Sequence, residues 1–377
     1  TPPAACTPDW SCSAWSTCSN DSRTQQRQCV DRRGCQDEVG EYRDEQLCGA
    51  GGTDDSVEPT TSLGATATSI TTGVLRVPLD GKDDVTATSA LRYYYQLDDQ
   101  PRRVAAKGST LMVRHLSNGV HTLSISAVDE SGNEDATPAV RKFQVSNVLS
   151  IVTAPRTKAD TVVRTYDYLG RLRTQFRPFP YTTRWGASVA VLDVEGDGTG
   201  EIVLAPGPGG PPEVRVVTAT GKLVSKFRAY PATFTGGVNV TAADVNGDGR
   251  DEIITAPASG TGPLVRVFTA TGKLLAEQTV LDRSFRGGVN VAAGFLDRNE
   301  KASLVTAPAS AGKPEVSVWE LSGKRLLRVH RFATDSASRR EGLSLGIANI
   351  DGTGPGEIIV TASAGKRPPQ VRAFSAS

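Results

Sequence analysis

The sequence predicts an all-β chain: a small disulfide-rich module (1–48), a flexible linker (49–64), a β-sandwich (65–146), and a propeller of four-stranded blades (147–377) with period 51. Three observations carry that prediction. All six cysteines fall before residue 49. Short alternating runs broken by turn residues fill positions 65–146. From Leu149 onward the chain repeats itself: Gly170, Gly221, Gly272 and Gly323 stand fifty-one apart, as do Pro155, Pro206, Pro257 and Pro308. A β-rich period near fifty is one supersecondary unit copied in series.

At 377 residues there is room for two to four domains. A net charge of +1 gives no footprint for nucleic acid or an anionic membrane. No apolar run approaches the ~20 residues of a membrane span. Thr1 is no initiating Met and opens no signal-peptide pattern, so the expectation is a mature or recombinant form, or a fragment. Clustered cysteines in a core-poor segment point to an oxidising, extracellular compartment.

The first module carries Cys6, Cys12, Cys18, Cys29, Cys35 and Cys48. Zinc is set aside because no Cys-x-x-Cys pair exists and the nearest histidine lies 67 residues past Cys48. Cys12-Ser-Ala-Trp15-Ser-Thr-Cys18, followed by Thr24-Gln-Gln-Arg27-Gln-Cys29, resembles a thrombospondin type 1 repeat. That resemblance implies tryptophans and arginines interleaved in a stacked ladder, here Trp10, Trp15, Arg23 and Arg27. It also implies an adhesive or glycan-binding role, with a plain spacer as the alternative. Six cysteines allow fifteen connectivities, of which Cys29–Cys35 is the pair expected first. Residues 49–64 hold almost nothing to bury and read as linker.

From 65 to 146, runs such as Leu91–Leu97, Thr110–Arg114, Gly119–Ala127 and Val140–Val145 predict six or seven strands of a sandwich. Leu97-Asp-Asp, Leu116-Ser-Asn-Gly119 and Val128-Asp-Glu-Ser-Gly-Asn133 resemble bacterial immunoglobulin-like stalk domains. His115 and His121 sit in strand-like runs and read as ordinary strand residues.

Each full repeat reads as four strands: a Gly-Val-Asn-Val run, an acidic loop, a strand ending in Thr-Ala-Pro, a third strand, a Gly-Lys hairpin and a fourth. Tyr166, Val217, Phe268, Trp319 and Phe374 share one register and are expected between blades. In Asp244-Val-Asn246-Gly-Asp248-Gly-Arg250-Asp-Glu252, side-chain oxygens at alternate positions, a carbonyl at Arg250 and a returning acid form the pattern that wraps a hard cation such as Ca²⁺. A polar hairpin turn is the plainer reading of the same residues. Asp193, Glu195, Asp197 and Glu201, with the Thr199 carbonyl, repeat the pattern one unit earlier. Phe295, Asn299 and Ser303 abolish it one unit later. Asn349, Asp351 and Glu357 offer a weak final copy. The glycines at 186, 237, 288 and 342, the Ala-Pro pairs and this loop together resemble FG-GAP repeats of the integrin α-chain type. The resemblance implies a calcium-stabilised propeller, here with Glu in place of the usual closing Asp.

Three full and two partial units give eighteen strands over five units, which leaves open an open arc, a five-bladed closure and a truncated chain. Alternating strand direction puts the acidic loops and Gly-Lys hairpins on one face. The other face collects Gly209, Gly210, Gly260, Gly262, Lys313, Lys366 and Arg367, a candidate face for an extracellular protein or glycan ligand. Gly342-Leu-Ser344-Leu-Gly346 matches a nucleophile elbow in letters only, because it falls in a strand of the last repeat. No catalytic set is found. The expectation is a non-catalytic extracellular or cell-surface adhesion or ligand-binding protein, the alternatives being a glycan-binding accessory of a secreted hydrolase or lyase and a structural spacer.

Overall fold

The computed structural model describes residues 10–14, 24–31, 42–47, 56–64, 68–70, 74–105, 110–113, 116, 119–145, 151–156, 159–167, 169–180, 182–196, 199–297, 301–335, 340, 342–348, 350, 356–362 and 370–375. All regular structure among them is β, and the chain forms two compact units, the first holding Thr1–Ser146 and the second Asn147–Ile350 with Gly354–Ser377.

In the first unit β1 (Trp10–Cys12), β2 (Thr24–Asp31) and β3 (Tyr42–Leu47) form one antiparallel sheet. Cys12 stands opposite Cys29 across β1 and β2, and the two are bonded. The expected Cys29–Cys35 pair is thereby corrected: strand pairing, not proximity in sequence, chooses the partner. Cys6, Cys18, Cys35 and Cys48, and Trp15 and Arg23 of the expected ladder, lie outside the described residues.

Next come β4 (Thr60–Leu63), β5 (Ser69–Ile70), β6 (Leu75–Lys82), β7 (Arg92–Leu97), β8 (Arg103–Val104), β9 (Thr110–Val113), β10 (Gly119–Val128) and β11 (Ala139–Val145). They make two sheets, β5-β11-β10-β7-β8 and β4-β6-β9. Alternate residues of β6 are buried, and Leu75, Val77, Leu123, Ile125 and Val145 close the core between the sheets at 0–1% exposure. One boundary moves. Residues 60–63, expected in the linker, form β4, because Thr61 N–H finds Asp135 Oδ2 at 2.6 Å and its hydroxyl accepts from Ala127 N–H. His121 Nδ1 lies 2.7 Å from the acceptor Asp98 Oδ2, and the ring stacks on Phe143. His115 is outside the described residues.

The second unit is five sheets in series. The first holds β12 (Ile151–Thr153), β13 (Val163–Tyr166) and β14 (Leu172–Phe176). The second holds β15 (Ala187–Leu192), β16 (Glu201–Pro206), β17 (Glu213–Val217) and β18 (Leu223–Arg228). The third holds β19 (Val238–Ala243), β20 (Glu252–Pro257), β21 (Leu264–Phe268) and β22 (Leu274–Thr279). The fourth holds β23 (Val289–Gly294), β24 (Ser303–Pro308), β25 (Glu315–Ser322) and β26 (Arg325–Ala333), and the fifth β27 (Leu343–Ala348), β28 (Glu357–Ala362) and β29 (Val371–Phe374). The eighteen strands expected over five units are all present, each sheet antiparallel in chain order.

Burial explains the composition of each strand. β20 and β24 are buried at every position because neighbouring sheets cover both their faces, whereas β14 and β18 at the outer rim are mostly exposed. The cores lie between sheets. Phe268 packs against Leu192, Val203 and Val214 of the preceding sheet, and Trp319 against Val265, Val267 and Ala276. Val217 and Phe374 occupy the equivalent junctions. Tyr166 is half-buried and belongs to none of these clusters.

Candidate functional site

The acidic loop joins β19 to β20 at the rim where those strands turn. Asp244 is 1% and Glu252 2% exposed, while Asp248 is exposed. Buried carboxylates need donors, and the loop supplies them from its own backbone. Asp244 Oδ1 accepts from Gly247 N–H (2.7 Å) and Oδ2 from Gly249 N–H (2.9 Å). Glu252 Oε2 accepts from Val245 and Asn246 N–H at 3.2 and 3.3 Å. The Asn246 amide group sits between the remaining oxygens, 2.9 Å from both Asp248 Oδ2 and Glu252 Oε1. Burial, then the charges of Asp248 and Asp244, push the Glu252 carboxyl up to about 8. Arg250 N–H donates to Asp248 Oδ1.

Loop one repeats two of these bonds. Gly196 N–H donates to Asp193 Oδ1 (2.7 Å) and Val194 N–H to Glu201 Oε2 (3.2 Å). Glu195 and Thr199 are exposed, and Asp197 lies outside the described residues. The final loop keeps one element of the pattern, Ile350 N–H to Glu357 Oε2 at 2.9 Å. Asn349 and Asp351 fall outside the described residues, as does Asn299. The closing glutamate has a physical reason in all three loops: it reaches back across the turn to cap the backbone that an aspartate is one methylene too short to meet.

Among the described residues no three Asp, Glu, His or Cys side chains are gathered tightly enough to hold a metal ion. The donor chemistry of loop two nevertheless fits a hard cation in one respect. Two carboxylate oxygens, Asp248 Oδ2 and Glu252 Oε1, meet at the weakly positive amide NH₂ of Asn246, and oxygen donors of this kind suit a hard cation.

Neighbouring loops are latched. Asp251 N–H donates to the Asp193 carbonyl (3.0 Å), and Asp193 N–H returns to Asp251 Oδ2 (2.8 Å). Ala302 N–H reaches the Asp244 carbonyl and Gly356 N–H the Phe295 carbonyl, both at 2.8 Å. Each acidic loop is thus tied to its successor, and at the first junction a side chain doubles the bond.

The opposite face holds a pocket of about 340 Å³ on the axis of the arc. Its walls are the second residues of the inner strands (Ser188, Asn239, Ser344), the residues just after the Ala-Pro pairs (Ser259, Ser310), and Arg156. An amide ladder runs around it. Asn239 Nδ2 donates to Val289 O (2.8 Å) and Asn290 Oδ1 (3.1 Å), and Asn290 Nδ2 donates to Leu343 O (2.7 Å). Ser188 Oγ accepts from Val240 N–H at 3.0 Å. The inner strand of each sheet is an edge with unpaired backbone groups, and the preceding sheet satisfies them. Arg156 Nη2 crosses to Asn290 Oδ1 (2.8 Å) and approaches Asn239 Oδ1 (3.5 Å).

The face expected to carry ligand is the face with the pocket, but the residues differ. Gly209 and Gly210 pack on Trp185, Gly260 donates to the Arg286 carbonyl, Gly262 is half-buried and Lys313 is exposed; none of them lines the pocket. Lys366 and Arg367 are outside the described residues. Arg156 was missed, although the repeat marks it: the positions fifty-one apart read Arg156, Gly207, Ala258, Ala309.

A family profile described as FG-GAP-like repeat matches residues 193–255, the stretch that holds both acidic loops. No curated protein matches the chain. Among solved structures, a quinonprotein alcohol dehydrogenase-like protein from Bacteroides thetaiotaomicron VPI-5482 is 10% identical, over 84% of this chain and 94% of that one, with a TM-score of 0.25. The V. cholerae biofilm matrix protein Bap1 is 19% identical, over 59% of this chain and 37% of that one, also with a TM-score of 0.25.

Proposed function

We propose that this chain is a non-catalytic, extracellular adhesion or ligand-binding protein whose repeat arc is pinned by calcium. In this reading Asp244, Asn246, Asp248 and Glu252, with the Arg250 carbonyl, hold one ion. Asp193, Glu195, Asp197 and Glu201, with the Thr199 carbonyl, hold a second. Bound calcium supplies the positive charge that buried carboxylates otherwise lack. The observation that carries the reading is the meeting of Asp248 and Glu252 oxygens at one point, beside the buried Asp244, in a loop latched to its neighbours. The FG-GAP-like match over 193–255 supports it. The paired cysteines support an oxidising location. No described helix is long and apolar enough to cross a membrane. The thrombospondin-like and immunoglobulin-like modules act as the stalk that presents the arc.

Two measurements test this. Calcium at 1 mM, on the order of extracellular site affinities, is expected to raise the melting temperature, and chelator to reverse it. On an array of matrix proteins and glycans, chelator-sensitive protein binding supports adhesion. Binding to glycans alone favours the accessory of a secreted hydrolase or lyase. Silence on the array leaves a structural spacer and ends the adhesion reading.

A further inference from the structure

The geometry points to a second, calcium-independent site: the axial pocket binds the carboxylate of a small polyhydroxylated acid, a hexuronate unit, through Arg156. The inference rests on the ligand-binding reading and gives it a place and a ligand class.

Four observations carry it. First, Arg156 is the one long side chain in a ring position otherwise filled by Gly207, Ala258 and Ala309. Small neighbours leave the room it crosses. Second, the arginine is half-used. Only Nη2 is engaged, by Asn290 and Asn239, and among the described residues Nε and Nη1 have no partner and no carboxylate pairs with it. Asn239 and Asn290 are 7% and 6% exposed and anchored by their own bonds to backbone carbonyls, so they hold the guanidinium from behind. Nε–H and Nη1–H point along different edges of the guanidinium, so each is a separate donor that meets a carboxylate oxygen with a single charge-assisted bond.

Third, no acidic residue lines the pocket among the described residues. The acidic loops lie at the far ends of the inner strands, and six residues at 3.3 Å each put them about 20 Å away, beyond the screening length at physiological salt. The arginine's charge is therefore not cancelled locally. Fourth, Ser259 and Ser310 of the wall donate their own protons to the Gly236 and Gly287 carbonyls, which leaves their hydroxyl oxygens as acceptors for a ligand that carries several hydroxyls of its own. A volume of about 340 Å³ sits at the lower end of the range for small-ligand pockets, enough for one or two sugar rings.

The test is titration calorimetry of the full chain with glucuronate and galacturonate, each with calcium and with chelator. Glucose, propionate, inorganic phosphate and a short peptide with a free C-terminal carboxylate serve as comparison probes. Saturable one-to-one uronate binding that persists in chelator is expected, with glucose and propionate at least ~10-fold weaker. Arg156→Ala should weaken uronate binding by about 10- to 100-fold, the range for losing a charge-assisted pair, and Arg156→Lys by less. Ser310→Trp, at an exposed position of the wall, should block entry; it also gives up the Ser310–Gly287 hydrogen bond, so its melting temperature is read alongside. That variant keeps the test decisive if Arg156→Ala fails to fold. Uronate binding unchanged in Arg156→Ala or Ser310→Trp overturns the proposal, as does tighter binding of phosphate or of the peptide carboxylate. Absence of uronate binding alongside an intact calcium melt sinks this site alone. Loss of the calcium response with uronate binding retained sinks the calcium reading alone.

Discussion

At Gly272 the backbone takes φ +88°, and a Cβ placed there would lie 2.5 Å from Phe227 of the same sheet's predecessor. Gly221 repeats the arrangement with Phe176. Gly323 shares the positive φ, at +58°, but has nothing within 4 Å. The pair separates two costs. Gly323→Ala should lose about 1 kcal/mol for the left-handed backbone alone, and Gly272→Ala a further ~1–3 kcal/mol because the aromatic ring must move. Urea denaturation of both variants checks the difference; equal losses would refute the role of the close approach. Glu252 offers a test of opposite sign. In chelator burial, then the charges of Asp248 and Asp244, push its carboxyl up to about 8, so the neutral Glu252→Gln should leave the melting temperature unchanged or raise it. With calcium the same variant should lose most of the ion-dependent rise. A uniform drop under both conditions would make Glu252 a plain turn residue.

Among elements, the third strand of each blade carries the side chain that plugs the gap to the preceding sheet. Trp319 is 4% exposed and its Nε1–H is satisfied by Thr306 Oγ1 at 2.9 Å. Trp319→Ala should cost about 3–5 kcal/mol. Phe374, half-buried at the last junction, should cost distinctly less when truncated; equal costs in denaturation would contradict burial as the cause. This register was legible in the sequence because the fifty-one-residue period aligns Val217, Phe268 and Trp319 directly. The strand count and the pairing of acids around each loop were legible for the same reason. What was not legible depends on partners distant in sequence. β4 looks like linker until Asp135 is seen to accept its backbone. Cys12 finds Cys29 only because β1 and β2 pair. Arg156 gains meaning only once the arc curls and brings Asn290, 134 positions later, within reach.

For the whole molecule, each compact unit has its own core: Ile70, Leu123 and Val145 in the first, the four inter-sheet clusters in the second. Independent cores predict two calorimetric transitions. Reductant should lower only the first, through Cys12–Cys29, and calcium should raise only the second. A single transition that responds to both agents would mean that the units unfold as one. Within the second unit successive sheets are tied by latches of the same kind, and Arg156 alone is seen, among the described residues, to bridge to sheets beyond the next. The amide ladder around the axis has a direction: each rung reaches forward to the sheet that follows and never back. A copied unit spliced between two others would arrive with a hand to offer and a hand to take. Lengthening such an arc therefore calls for duplication of existing parts and no new joint.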